Sequence, residues 1–148
     1  MIKEFRGQYY FLSNFYNAKV TWEGITYLNN ESAFQSAKVT DYDTRLKFAN
    51  LDPSSGKRKG RHVQLRHGWD NIKFDIMYEI VKVTFTQNED LKVKLLATGD
   101  EELQEGNYWH DNIYGNCVCN KCKSIKGQNN LGKILMKIRE EIKYAKNI

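Results

Sequence analysis

The sequence predicts an α+β fold, mainly helical, with a small antiparallel sheet in its N-terminal third. Three observations predict it. Residues 18–22 alternate apolar and polar as a half-buried strand does. Apolar residues recur at helical spacing in two segments, 70–86 and 131–145. The length of 148 residues, with one proline, fits a single domain over residues 1–148.

The elements follow in order. Residues 8–28 read as β: the strand 18–22, a tight turn at Glu23-Gly24, and a returning strand over 25–27. Asn29 and Asn30 are good caps for a short helix over 31–39. Asp43 caps a helix over 44–50, and Pro53 sits where another begins, leading into the basic stretch 57–62. Asp70 caps a long helix to about residue 86, on which Lys73, Ile76, Met77, Ile80, Val81 and Thr84 share one face. Residues 90–97 form a further helix, stopped near Gly99. A last helix covers 131–145, with Leu131, Ile134, Leu135, Ile138 and Ile142 as its core stripe. Between Gly99 and Gly127 periodicity vanishes, and long irregular segments in compact domains often carry function.

Charge and composition narrow the function classes. A net charge of +5 suits a polyanionic partner such as a nucleotide, a nucleic acid or an anionic membrane. No apolar run approaches the ~20 residues of a membrane helix, and the N-terminus carries no apolar export signal. A cytoplasmic location with no membrane partner is therefore expected. Aromatic residues reach 13%, enough both to build a core and to stack a planar ligand. Cys117, Cys119 and Cys122 are odd in number and too close together for a disulfide framework.

Two segments carry candidate chemistry. Glu31, Phe34, Gln35 and Lys38 share one helix face. Such a mixture is either a solvated face with Phe34 dipping inward or the wall of a cleft, with Glu31 ionised near the helix N-terminus. The loop from Gly106 through Tyr108, Trp109, His110, Asp111 and Tyr114 to Gly115 and Asn116 combines rings, amides and a second carboxylate between glycines. It is either a stacking surface or a series of Asx turns with Trp109 plugging the core. Two carboxylates flanking a pocket suit glycosidic cleavage, because one stabilises oxocarbenium-like charge and one deprotonates water.

At these residues the chain resembles the NADAR (YbiA-like) family. The resemblance runs in order through Arg6-Gly7, Tyr10-Phe11-Leu12-Ser13-Asn14-Phe15, Gly24-Ile25-Thr26-Tyr27, Glu31-Ser32-Ala33-Phe34-Gln35-Ser36-Ala37-Lys38, Lys59-Gly60-Arg61, Leu65-Arg66 and Trp69. It continues through residues 77–85, Gln87-Asn88, Leu95-Leu96-Ala97-Thr98-Gly99-Asp100, the aromatic loop, and Asn130-Leu131-Gly132-Lys133-Ile134-Leu135-Met136. No single motif is decisive; the ordered set is specific. The resemblance implies hydrolysis of N-glycosidic bonds, either removal of ADP-ribose from modified guanine in nucleotide or nucleic acid or action on early riboflavin-pathway intermediates. It implies catalysis by Glu31, Trp109 and Asp111, without a metal or cofactor. The chain departs from the family at Ser32, where many members have His, at Tyr114, where Trp is common, and in its cysteine cluster.

Binding candidates follow. Arg61 and Arg66 lie at family-like positions in the basic segment and suit a pyrophosphate, the bland alternative being a solvated basic face. Arg6, Ser13 and Asn14 suit ribose or phosphate. Gly7, Phe15, Phe34, Gln35, Lys38, Tyr114, Gly115 and Asn130 join them as substrate-binding candidates through the motifs they occupy. With His110 the three cysteines make four potential zinc ligands, but the spacing is irregular for a zinc knuckle and the favoured reading is free or partly buried thiols. A non-catalytic ADP-ribose-binding module and a plain nucleic-acid-binding protein are the rival classes, the latter disfavoured by the acids of the proposed pocket.

Overall fold

The computed structural model describes residues 1–145 and has the expected α+β architecture. Contacts divide the chain into two compact units, one of residues 14–92 and one of residues 1–13 with the chain from Val93 onward.

In the first unit, β1 (Val20–Trp22) and β2 (Ile25–Tyr27) form the hairpin, with Val20 opposite Tyr27 and Trp22 opposite Ile25. Both strands bury alternate residues, so the period-two reading holds there. The helices are α1 (Asn30–Ser36), α2 (Tyr42–Leu46), α3 (Pro53–Gly60) and α4 (Trp69–Gln87). Asn29 caps α1, accepting the Ser32 N–H at 2.7 Å. α1 is too short to persist alone and is held by α3 and α4, which it packs against. Gly56 permits the approach to α3: a side chain there would meet Ser32 Oγ at 2.5 Å. The exposed edge of β1 is closed by the Gln87 amide, which donates to Thr21 O and accepts from Thr21 N, both at 2.9 Å.

α5 (Glu89–Ala97) carries the chain into the second unit. There Ile2 bridges Leu103, β3 (Gly106–Asn107) pairs in parallel with β4 (Asn116–Cys117), and α6 (Asn130–Ala145) follows. Leu131, Leu135, Ile138 and Ile142 of α6 are buried and Ile134 half-buried, as its period predicts.

Three expectations are corrected. Gly7–Leu12 is a 3-10 helix rather than strand: Gly7 enters at φ 57, and the Ser13 N–H closes the last turn on Tyr10 O at 2.9 Å. Phe11 and Leu12 are buried there as neighbours, without the alternation of a half-buried strand. α2 begins earlier than expected because Asp41, not Asp43, accepts the Thr44 N–H. α4 starts on Gly68 at φ 74, with Asp70 inside the first turn rather than capping it.

Candidate active site

The α1 face is buried, not solvated. Glu31 is 9% exposed, Phe34 4% and Gln35 6%, and Lys38 is half-buried. Burying a carboxylate and an amide is costly without partners. Gln35 Nε2 donates to Glu31 Oε1 at 2.9 Å, and the Glu31 backbone N–H donates to Asn14 O at 3.0 Å. Asn14 is itself set by the buried amides and sulfur around it, accepting from Asn30 at 3.2 Å and donating to the Met77 sulfur at 3.0 Å. Phe34 packs on Trp69, their ring centroids 5.3 Å apart. Gln35 Oε1 is buried with no hydrogen-bond partner among the described residues, packed closely against Gly60 of α3.

Lys38 ties this face to the basic segment. Burial lowers its pKa from 10.5; the Glu31 charge opposes that shift, and the positive charges of Arg61, Lys57 and Lys73 add to it. Its ammonium donates to Gly60 O at 3.3 Å. Arg61 is exposed beyond the end of α3. Phe15 is half-buried, 5.9 Å from the Lys57 ammonium. Arg66, half-buried, instead holds the chain just after α1: its N–H donates to Lys38 O at 2.7 Å and its guanidinium to Ala37 O at 3.4 Å. It also lines a hollow of about 350 Å³ with residues such as Val39, Thr44 and Leu65. Thus Asn14, Phe15, Glu31, Phe34, Gln35, Lys38, Arg61 and Arg66 all belong to the unit of residues 14–92.

The aromatic loop lies in the other unit and is built by asparagines. Asn107, fully buried, accepts the N–H of Trp109 at 3.3 Å and of Asp111 at 3.1 Å, and donates to Asp111 O at 2.8 Å. Asp111 Oδ1 accepts the N–H groups of Ile113 and Tyr114, at 3.1 and 2.9 Å. Asn130 donates to Ile113 O at 2.7 Å, and Tyr114 O accepts the Leu131 N–H at 3.0 Å. At Gly115 a side chain would run into Glu105 and, at 2.8 Å, into Asn107 Nδ2, so glycine is required there by packing. The Asx-turn reading of this loop is correct, but Trp109 does not plug the core: it is 53% exposed, and Tyr108 is 58% exposed. The Arg6 guanidinium stands 5.7 Å from the Trp109 ring and 5.9 Å from that of Tyr108. Two open rings beside an arginine form a surface that can stack a planar group. Arg6 and Gly7 also border an open hollow of about 460 Å³ with Ile2, Lys3 and Tyr9. Ser13, half-buried, ends the 3-10 helix.

Residues 2–143 match the NADAR domain. The chain belongs to the NADAR family. It is 31% identical over 141 residues to the N-glycosidase YbiA of Shigella flexneri, covering 90% of this chain and 82% of that protein. It is 35% identical over 139 residues to a riboflavin biosynthesis protein of Vibrio vulnificus, covering 89% of this chain but only 35% of the Vibrio protein. The NMR structure of the Escherichia coli protein YbiA superposes with a TM-score of 0.82 at 28% identity, covering 99% of this chain and 89% of that one. No described helix is long and apolar enough to cross a membrane.

The NADAR departures now have local settings. Ser32 is buried and donates to Leu51 O at 3.1 Å, in the tight α1–α3 contact where a side chain at Gly56 would meet its Oγ. Tyr114 is half-buried, its backbone fixed by Asp111 and Leu131. Sequence reasoning missed Asn107 as the organiser of the loop and Tyr108 as half of its ring pair. The signal for Asn107, an amide directly after Gly106 at the start of a glycine-bounded loop, was present but nonspecific.

Proposed function

We propose that this NADAR protein hydrolyses an N-glycosidic bond, releasing a base from a phosphorylated ribose, with ADP-ribose linked to guanine in nucleotide or nucleic acid as its substrate. The observation that carries the reading is the buried Glu31–Gln35 pair beside Lys38. A buried carboxylate aligned by an amide is suited to stabilising oxocarbenium charge and to accepting a proton from the attacking water. Lys38 and Arg61 supply positive charge for phosphate, which Arg engages in bidentate fashion. The names of the YbiA relatives support the bond type. Family resemblance assigns Trp109 and Asp111 to catalysis, and Tyr108 and Trp109 offer two open rings beside Arg6.

The test is product release from ADP-ribosylated guanosine, followed by chromatography. Glu31→Gln should cost ~10²-fold or more in kcat with an unchanged circular dichroism spectrum. Asp111→Asn keeps an Oδ1 acceptor for the loop while removing the charge, and should cost a similar factor. Wild-type rates in both variants would sink these roles. Tight binding without free ADP-ribose would identify a binding module instead. A second reading, cleavage of an early riboflavin-pathway intermediate, is favoured by the Vibrio relative's name. Release of ribose phosphate from that intermediate, with ADP-ribosylated guanosine left intact, would decide for it.

A further inference from the structure

His110, Cys117, Cys119 and Cys122 present four ligand atoms that all lie within 4.8 Å of one another. His110 Nδ1 is 3.4 Å from Cys119 Sγ, 3.4 Å from Cys122 Sγ and 3.9 Å from Cys117 Sγ. Bonds of ~2.3 Å to sulfur and ~2.0 Å to nitrogen at tetrahedral angles put ligand nitrogen and sulfur about 3.5 Å apart. The three separations bracket that value. We propose that these residues form a structural Cys₃His zinc site that braces the loop carrying Trp109 and Asp111.

Three further observations agree. First, the ligands come from separate local structures: Cys117 from β4, Cys119 and Cys122 from the turn after it, and His110 from the loop before it. A bond among them therefore cross-links the loop at its two ends. Secondly, His110 holds φ 68, a conformation uncommon for a non-glycine residue and one that surrounding bonds must maintain. Thirdly, the Cys122 N–H donates to Cys119 O at 3.1 Å and the Ile125 N–H to Cys122 O at 2.8 Å, a turn that holds both sulfurs 3.4 Å from His110 Nδ1. Soft thiolates with one imidazole select zinc over hard cations. Four protein ligands fill the coordination sphere, which makes the site structural and leaves no position for a reacting water. Binding exchanges three thiol protons for one Zn²⁺, with His110 neutral and its other ring nitrogen carrying the hydrogen. Three thiolates and one Zn²⁺ leave a single negative charge, among Lys121, Lys123 and Lys126. The irregular spacing that argued against zinc in the sequence loses its force, because an eight-residue loop and a paired strand, not a compact knuckle, deliver the ligands.

The experiment uses the full chain, purified under reducing conditions and loaded with zinc. Elemental analysis should find about one zinc per chain after dialysis. Chelation should lower Tm by roughly 5–10 °C, recovered by zinc. Cobalt(II) substituted for zinc should give the intense visible absorption of tetrahedral thiolate coordination. Cys119→Ser, at the least buried of the three thiols, and His110→Asn, chosen because Asn tolerates positive φ, should each lower metal affinity at least tenfold. Three titratable thiols with no zinc retained, an octahedral cobalt spectrum, or unchanged affinity in both variants would overturn the site.

Discussion

At the scale of single residues, environment decides chemistry. Glu31 and Asp111 are the two carboxylates proposed for catalysis, yet their surroundings differ. Glu31 is buried and accepts from the Gln35 amide, whereas Asp111 spends Oδ1 on two backbone N–H groups of its own loop. The first arrangement suits a group that meets changing charge; the second sets loop shape whatever else Asp111 does. Lys38 gives a pH prediction. Burial holds its pKa below 10.5, so the ammonium loses its proton at lower pH than an exposed lysine. If Lys38 binds phosphate, KM should rise as pH climbs through that lowered value, with kcat less affected. Lys38→Arg keeps the charge and should flatten the rise; a pH profile identical to that of the wild type would remove Lys38 from phosphate binding.

At the scale of elements, the positioning of the α1 face depends on glycines in α3. A Cβ at Gly60 would collide with the Gln35 amide oxygen and approach its Cδ at 2.7 Å and its Cβ at 3.0 Å. Gly60→Ala must therefore displace Gln35 or push α3 off α1. Overpacking of this kind costs about 1–3 kcal/mol. Displacing the amide that aligns Glu31 should also cost about tenfold or more in kcat. Thermal melts and steady-state kinetics measure the two losses separately, and unchanged kcat would show that Gln35 does not position Glu31. The aromatic loop follows the opposite logic: its shape comes from Asn107, Asp111, Asn116, Asn129 and Asn130 bonding to backbone, while Tyr108 and Trp109 stay exposed.

At the scale of the whole molecule, stability has a marker in Tyr27. Its side chain is fully buried in β2, and its hydroxyl accepts from Ser36 Oγ at 2.7 Å. Burial raises its pKa above 10.0, with the Ser36 bond partly opposing. A raised pKa means that the unfolded chain ionises first. The stability due to Tyr27 is therefore complete below pH 10 and falls as pH rises through 10 toward the folded value. Denaturant melts across that range should show the decline, and Tyr27→Phe should reduce its slope although the mutation lowers stability at neutral pH. A slope equal to that of the wild type would put the alkaline loss elsewhere.

The sequence by itself determined the element types wherever a period was strong. The hairpin at Val20–Trp22 and Ile25–Tyr27, the long helix ending at Gln87 and the stripe of α6 were legible because one buried face imposes a repeat that survives in one dimension. The ordered motifs determined the family and, through it, the candidate residues. Tertiary structure alone decided three things. Residues 7–12 became a 3-10 helix because a backbone turn at Gly7 outweighed the β propensity of its rings. The Glu31 face became buried because α3 and α4 cover it, and no spacing rule says which face of a short helix another element will cover. The histidine and three cysteines became one cluster because β3 pairs with β4 and closes the loop between them, a contact that spacing in the chain does not encode.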